Sequence, residues 1–451
     1  MQGAGDEKAV TMLLDHHRAR LSLHTAGRRP FLLAVTATLL ALIVAFEYAG
    51  VGGAIGLDRL VLVAAAALGL LIPPQRLVAA MAPAWLLAPI SGQVFAIAHA
   101  ATCALAVSLV LRFVGGALPA RRTTVWFALF AAALTVSLLH PAVATPAALS
   151  PWHDLVGVLT GLAVAASATS APPDLSLVAK TIAIAGAVVA GVILIDGALA
   201  AGRLVGAGLN PNYLGGMLAP PCIAAIGLAW HVRQPAWLFV AAPGAVALVQ
   251  TQSRGALVAA VAGAGYLVLR ERSWWQRALV VAATALLPVL FGNVLIKLLI
   301  GGRSATELDA NNAIRGEALR LALEIAVQHP LRGIGYGAFP AYAAAAPQIG
   351  IFVNTHNEYA RLACEAGVPA AALFVVLLVL AMRGRRGDSA AILRAIVVVY
   401  AVGLLFGNFM SSMFVSVPFW LALGCLLAGG EKPHGAPSRG RVPRPQTEGM
   451  L

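Results

Sequence analysis

The sequence predicts an all-α fold, a polytopic transmembrane helical bundle of about 12 to 14 spans with one large outer loop. Hydrophobic residues make up 60% of the 451 positions, and 11% are charged, against about 25% in an ordinary soluble domain. The apolar residues form long runs, as at 94–111 and 177–195. Runs of this length cross a bilayer as helices, because lipid cannot satisfy open backbone groups. The predicted spans lie near 31–49, 58–72, 76–90, 94–114, 123–140, 154–170, 177–199, 212–230, 235–250, 254–270, 277–299, 357–382, 391–408 and 411–428.

The distribution of Lys and Arg predicts the orientation, since cytoplasmic connectors are enriched in these residues. With the amino terminus inside, alternate connectors and the tail carry most of the basic residues. The opposite short connectors hold only Arg59, Arg203 and Arg254. Both termini are therefore predicted to be cytoplasmic. The predicted order is a cytoplasmic segment at 1–30, transmembrane helices at 31–300, a large outer loop at 301–355, transmembrane helices at 356–430 and a disordered basic tail at 431–451.

The outer loop contains an amphipathic pattern that predicts a helix at 313–328. Arg320 and Glu324 are spaced for an ion pair on its surface, and His329-Pro330 should end it. Its predicted apolar stripe consists of Ile314, Ala318, Leu321 and Ile325. Its predicted start lies among Asp309, Asn311 and Asn312.

Several classes of function are excluded. The net charge of +13 does not indicate nucleic-acid binding, because the basic residues are spread through short connectors without interleaved aromatics. The segment Gly333-Ile334-Gly335-Tyr336-Gly337 does not complete a nucleotide-binding motif. Its glycines suit a tight turn, although backbone N–H groups there can hold an anion. No metal site is predicted, since no His, Cys or carboxylate cluster has ligand spacing.

Two arginines are candidates for binding an anion. Arg254 interrupts a nearly continuous apolar stretch on the predicted outer side, and a guanidinium there suits a phosphate or pyrophosphate. The alternative is an arginine that snorkels to the interface. Arg315 lies near the start of the predicted outer helix, where a solvated helix charge is the alternative.

A histidine and an asparagine mark two other span ends. His356, in Asn354-Thr355-His356-Asn357-Glu358-Tyr359, lies where the outer loop re-enters the membrane. It is suited to accept a proton from a hydroxyl, or it caps a helix. Asn210 precedes Pro211 and is expected to start a helix, with sugar binding as a secondary role. Asp196, near a span end, is the candidate if the protein is an ion-coupled transporter.

Five short motifs follow one another in the second half of the chain. They are Asn210-Pro211-Asn212, Ser253-Arg254-Gly255, the segment 311–317, the segment 329–335 and the segment 354–369. Their order around one long outer loop resembles the bacterial O-antigen ligase and polymerase superfamily. The resemblance covers residues 205–410, whereas the amino-terminal half matches only in hydropathy.

The resemblance implies a membrane-embedded glycosyltransferase of the GT-C-like type, without metal or cofactor. The donor would be O-antigen on undecaprenyl pyrophosphate, and the acceptor lipid A-core oligosaccharide, both at the periplasmic face of the bacterial inner membrane. Arg254 and Arg315 would bind the pyrophosphate, and His356 would position or deprotonate the acceptor hydroxyl. The neighbours that the resemblance implicates more weakly are Asn357, Arg361, Tyr359 and Arg332.

Three functions remain open. The first is an O-antigen ligase that completes lipopolysaccharide. The second is another superfamily enzyme, an O-antigen polymerase or a protein O-oligosaccharyltransferase, which differs in its acceptor. The third is a transporter of the lipid-linked glycan, which would depend on Asp196 rather than on outer arginines. The sequence favours the ligase.

Overall fold

The computed structural model describes residues 71–114, 122–139, 141, 151–200, 202–270, 278 and 305–428. The segment 1–30, the predicted span at 31–49, nearly all of the predicted spans at 58–72 and 277–299, and the basic tail lie outside these residues. Helices dominate the described part, so the all-α prediction is confirmed, with one short antiparallel hairpin that was not predicted.

The helices follow the predicted spans closely. In chain order they are α1 Pro74–Leu87, α2 Gly92–Val114, α3 Arg122–Leu138, α4 Pro151–Ser170, α5 Leu175–Asp196, α6 Pro211–His231, α7 Trp237–Gln250, α8 Arg254–Leu269, α9 Ala305–Gln328, α10 Phe339–Ala345, α11 Glu358–Glu365, α12 Val368–Arg383, α13 Asp388–Gly403 and α14 Met413–Leu427. A 3₁₀ turn, Ala88–Ile90, follows α1, and the hairpin strands are β1 Ala198–Ala200 and β2 Arg203–Val205.

Three of the described helices are long and apolar enough to cross a membrane. They contain the segments Gly92–Arg112, Leu175–Asp196 and Pro211–His231, and five shorter apolar helices accompany them. Since a span of the hydrocarbon core needs about 20 residues, the described part is that of a polytopic helical membrane protein.

Helix α6 lies at the centre of the bundle and packs against α5, α7, α8, α13 and α14. Gly215 on α6 permits one of these approaches. A Cβ atom on Gly215 would lie 2.8 Å from the Cβ of Ala256 and 2.9 Å from that of Ser253. The missing side chain therefore lets the beginning of α8 rest directly on α6.

The prediction of one continuous span at 357–382 was wrong. The segment forms α11 and α12, which are separated by a break at Gly367 with φ +89°. A Cβ atom there would lie 2.3 Å from the carbonyl oxygen of Leu331, and the N–H of Val368 donates to the carbonyl of Pro330 at 2.8 Å. Pro330 and Leu331 therefore pass so close to the backbone at 367 that only glycine fits there. This close approach separates α11 from α12.

The predicted outer helix exists but is longer than expected. It begins at Ala305, so the prediction that it starts at Asp309, Asn311 or Asn312 was wrong, and these residues lie within it. The predicted pair is confirmed, with Arg320 Nη1 2.6 Å from Glu324 Oε1, and the helix ends before His329. Of the apolar stripe, Ile314 is exposed, while the buried members are Ala318, Leu321 and Ile325.

The buried side of α9 joins a separate hydrophobic cluster with α10, α11 and the intervening loop. This cluster consists of Ala318, Leu321, Ala322, Ile325, Ala326, Ile334, Ala338, Phe339, Ala343, Ala346, Ala360 and Cys364. Because α11 belongs to this cluster and also packs against α12, the cluster fixes the outer segment relative to the bundle.

Candidate functional site

Arg254 is presented by a tight turn between α7 and α8. Thr251 ends α7, and its hydroxyl accepts the N–H of Ser253 at 3.2 Å, while Gln252 takes the left-handed conformation with φ +50°. Ser253 is buried against α6, and Arg254, the first residue of α8, is exposed. The turn therefore anchors the backbone next to a projecting guanidinium.

Helix α9 lies beside this guanidinium. Arg254 Nη2 donates to the Oδ1 of Asn312 at 3.3 Å, and Arg315 follows Asn312 by nearly one turn of α9. Arg254 and Arg315 line one cleft of about 390 Å³, which we call the arginine cleft. Its lining residues are Arg254, Gly255, Asn312, Arg315, Gly316, Leu319, Thr355, His356, Asn357, Leu405 and Phe406.

His356 lies in the same cleft in an unusual backbone conformation. Its φ is +54°, a region that costs a non-glycine residue about 1–3 kcal/mol. Its N–H donates to the Oδ1 of buried Asn408 at 2.9 Å, and the Nδ2 of Asn408 donates to the hydroxyl of Thr355 at 3.0 Å. Asn408 therefore holds the strained turn that directs His356.

The surroundings of His356 favour its neutral form. Burial, and to a smaller extent the positive charge of Arg315, lower the pKa of His356 from about 6.5 to about 4. The imidazole is consequently unprotonated near pH 7 and is able to accept a proton.

A third arginine, Arg203 on β2, lies beside the first two. It lines a small adjoining pocket that also includes Arg254 and Arg315. Its Nε donates to the carbonyl of Thr251 and its Nη2 to the Oδ1 of Asn212, both at 3.0 Å. Arg203 thus ties the hairpin and α6 to the turn that presents Arg254.

Arg361 occupies a different environment from the cleft arginines. It is buried, and its Nε donates to Glu365 Oε2 at 2.9 Å while Nη1 lies 3.6 Å from Glu358 Oε1. Nη2 pairs with Asp154 of α4, and the guanidinium lies 4.9 Å from the ring centre of Tyr336. With three carboxylates around it, Arg361 holds α4 and α11 together.

The glycine-rich segment forms the predicted tight turn and binds a carboxylate. Gly333, Gly335 and Gly337 all have positive φ, between +65° and +109°. The N–H groups of Gly337 and Phe339 donate to the Glu365 carboxylate at 2.9 and 3.0 Å. The anion held by this turn is therefore a side chain of α11.

The remaining candidates fall into different places. Asn357 lines the arginine cleft, and its side chain also caps α11 by accepting the N–H of Ala360 at 3.0 Å. Asn210 caps α6, as predicted, by accepting the N–H groups of Asn212 and Tyr213. Tyr359 and Arg332 line neither the arginine cleft nor the adjoining pocket. The Tyr359 hydroxyl donates to the carbonyl of Ala401 at 2.9 Å, and Arg332 is exposed on the turn after α9.

Sequence reasoning missed three residues of this region. Arg203, like Arg254, lies in a connector on the side that is predicted to hold few basic residues. That position could have marked it as a candidate site residue. Asp154 is an acid in the first turn of an apolar helix, where a charge is costly without a partner. Asn408 stands in a short connector, and nothing in its local sequence distinguishes it.

The bundle and the cleft together define a polytopic helical membrane protein in which two arginines and a histidine share one pocket. Residues 238–375 match the model of the family described as O-antigen ligase. This match includes Arg254, Arg315 and His356, so the part of the chain that carries these residues is similar to that family. No curated protein sequence matches the chain.

Proposed function

We propose that the protein is an O-antigen ligase, which transfers O-antigen from undecaprenyl pyrophosphate to lipid A-core oligosaccharide. The observation that carries this proposal is that Arg254, Arg315 and His356 line one cleft of about 390 Å³. The reaction takes place at the periplasmic face of the bacterial inner membrane, with both termini in the cytoplasm. The family match supports this chemistry.

The character of the arginine cleft suits a lipid-linked pyrophosphate. Two guanidinium groups line the cleft, and among the described residues that line it none is acidic. Leu405 and Phe406 line it as well and are 47% and 41% exposed. An amphiphile with an anionic head and an apolar tail matches this lining, because arginine forks bind phosphate oxygens while the exposed hydrophobic side chains contact the prenyl chain.

The reaction is a displacement at the anomeric carbon. The hydroxyl oxygen of the acceptor bonds to that carbon, and the bond from the carbon to the pyrophosphate oxygen breaks. The hydroxyl proton passes to the neutral imidazole of His356, and undecaprenyl pyrophosphate leaves. Attack opposite the leaving group inverts the anomeric configuration. Arg254 and Arg315 stabilise the charge that develops on the leaving group, so the reaction proceeds without a metal ion or ATP.

The transporter alternative has less support. Asp196, the residue on which that alternative depends, is the last residue of α5 and is exposed. A coupling residue is expected near the middle of the membrane and facing a bundle interior.

The test is an in vitro ligation with purified protein. It supplies undecaprenyl-pyrophosphate-linked O-antigen and rough lipopolysaccharide, with EDTA and no ATP. Arg254→Ala, Arg315→Ala and His356→Ala should each reduce transfer by about 100-fold or more. Arg320→Ala is the matched control, because Arg320 lies on the same helix as Arg315 with its side chain 55% exposed. It should change the rate by less than about twofold.

Each outcome has a distinct meaning. A ladder of lipopolysaccharide from the wild type, lost in the three variants and kept in Arg320→Ala, supports the ligase. Longer glycan on the lipid carrier without transfer would identify a polymerase. Glycan on an added acceptor protein would identify a protein O-oligosaccharyltransferase. Movement of the carrier between leaflets of liposomes, with no new glycosidic bond, would refute an enzyme.

A further inference from the structure

A second cleft opens beside the arginine cleft and has different chemistry. It has a volume of about 250 Å³, below the range of about 300–1,000 Å³ that holds drug-sized ligands. We call it the asparagine cleft. Its lining residues are Asp154, Tyr213, Gly337, Pro340, Phe352, Val353, Asn354, Arg361, Asn408 and Ser411.

Residues of one turn, 354–357, line both clefts. Asn354 lines the asparagine cleft, whereas the next three residues line the arginine cleft. Asn408 lines the asparagine cleft while its Oδ1 accepts the N–H of His356 at 2.9 Å. A ligand in the asparagine cleft therefore lies next to the turn that carries His356.

The charge of the asparagine cleft disfavours a second pyrophosphate. Arg361, the one cationic side chain among the described residues that line it, is already paired with the carboxylates of Asp154, Glu358 and Glu365. Asp154 remains 32% exposed and is held in place by Arg361. A carboxylate in this position accepts hydrogen bonds from hydroxyl groups and repels phosphate.

The other lining residues suit a sugar ring. Asn354 is exposed, and its amide both donates and accepts hydrogen bonds. Phe352 lines the cleft and is 60% exposed, so its ring is accessible to a ligand there. A flat aromatic face beside paired polar groups complements a sugar, which has C–H groups on its faces and hydroxyl groups on its edge.

We propose that the asparagine cleft binds the sugar unit of the acceptor and directs its hydroxyl toward His356. This inference rests on the ligase proposal, which requires an acceptor saccharide. Donor and acceptor are thereby separated by charge: the anionic carrier binds the arginine cleft, and a neutral, hydroxyl-bearing sugar binds the asparagine cleft.

The test compares Phe352→Ala and Asn354→Ala with wild type at saturating donor while rough lipopolysaccharide is varied. Each substitution should raise the acceptor KM about tenfold, the loss of one well-placed contact. The donor KM should change less than about twofold, because the arginine cleft is unaltered. Phe352→Tyr keeps the ring and should retain the wild-type acceptor KM.

Ile351→Ala is the matched control. Ile351 is 50% exposed and adjacent to Phe352 but does not line the cleft. An unchanged acceptor KM in both Phe352→Ala and Asn354→Ala would overturn the acceptor cleft and leave the ligase proposal standing. An equal rise in Ile351→Ala would also overturn it, because the effect would then be nonspecific.

If the wild type transfers nothing, a binding experiment distinguishes failure of the ligase proposal from failure of the acceptor-cleft proposal. Isothermal titration would measure binding of core oligosaccharide, released from lipid A by mild acid, to the intact protein. Binding that weakens about tenfold in Phe352→Ala and Asn354→Ala would support a saccharide site although the ligase proposal had failed. No binding by wild type, or equal binding by the variants, would overturn the cleft as well.

Discussion

The backbone N–H of His356 donates to the side-chain oxygen of Asn408, 52 residues further along the chain, at 2.9 Å. Asn408 lies between α13 and α14, and its own carbonyl accepts the hydroxyl of Tyr213 on α6 at 2.8 Å. The histidine is therefore oriented by α6 and by the connector between α13 and α14, although it belongs to the segment between α10 and α11. This relationship makes Asn408 a positioning residue for His356.

Replacing Asn408 by Ala should lower kcat about tenfold or more, because the left-handed turn at His356 loses its support and small displacements of a reacting group are costly. The donor KM should stay within about threefold of wild type, since the arginines are unchanged. Steady-state kinetics with varied donor would measure both constants. Ser412→Ala is the control, because the Ser412 hydroxyl has no hydrogen bond within the described residues. A wild-type kcat in Asn408→Ala would contradict the positioning role.

The rate of transfer should stay nearly constant from about pH 7 down to about pH 5. Because the pKa of His356 is lowered to about 4, the imidazole stays neutral until the pH approaches that value. Protonation below it removes the base, so kcat/KM falls only there. The profile of kcat/KM against pH measures this fall, which is the acidic limb of the profile. In Arg315→Gln the limb should move to higher pH, since a positive charge that lowers the pKa is removed. A wild-type limb near pH 6.5 would contradict the assignment.

Replacing Gly367 by Ala should destabilise the protein by about 3 kcal/mol or more, from positive φ together with a backbone clash. The added Cβ would lie 2.3 Å from the Leu331 carbonyl oxygen. Gly350 has a similar φ of +67° but no atom within 4 Å of its Cβ position, so Gly350→Ala should cost only about 1 kcal/mol. Thermal unfolding in detergent would compare the two variants. Equal melting temperatures would show that the close approach to Leu331 does not limit stability.

Replacing Arg361 by Met should destabilise the protein by about 3–5 kcal/mol, because it leaves buried Glu358 and Glu365 without their cation. Arg320→Met also removes a residue with two ion pairs, but these are exposed and screened by solvent, so its unfolding midpoint should stay close to that of wild type. Urea or thermal unfolding in detergent measures the difference. Comparable losses in the two variants would disprove the structural role assigned to Arg361.

The sequence led directly to the parts of the fold that depend on local properties. Of the fourteen helices in the described residues, all except α10 overlap a predicted span or the predicted outer helix, because hydropathy sums over neighbouring residues. The positions at which helices begin and end were harder to predict from the sequence. The break at Gly367 depends on the Leu331 carbonyl. The early start of α9 at Ala305 follows Ser304, with Glu307 three residues after it, a capping-box pattern that the prediction overlooked. Arg254 and His356 stood out as polar residues at the ends of apolar runs, and Arg315 as a residue near the start of the predicted outer helix. The structure brings all three to one cleft.

The sequence by itself determined the helical membrane class, the approximate spans and the residues whose polarity is out of place. Only the tertiary structure decided which of them meet: the N–H of His356 with Asn408, Arg361 with Asp154 across 207 positions, and Arg203 with Asn212 on α6. The physical reason is that the apolar length and charge of a segment are local quantities. Hydrogen bonds and ion pairs between distant segments depend instead on how the helices pack, which a local pattern does not encode.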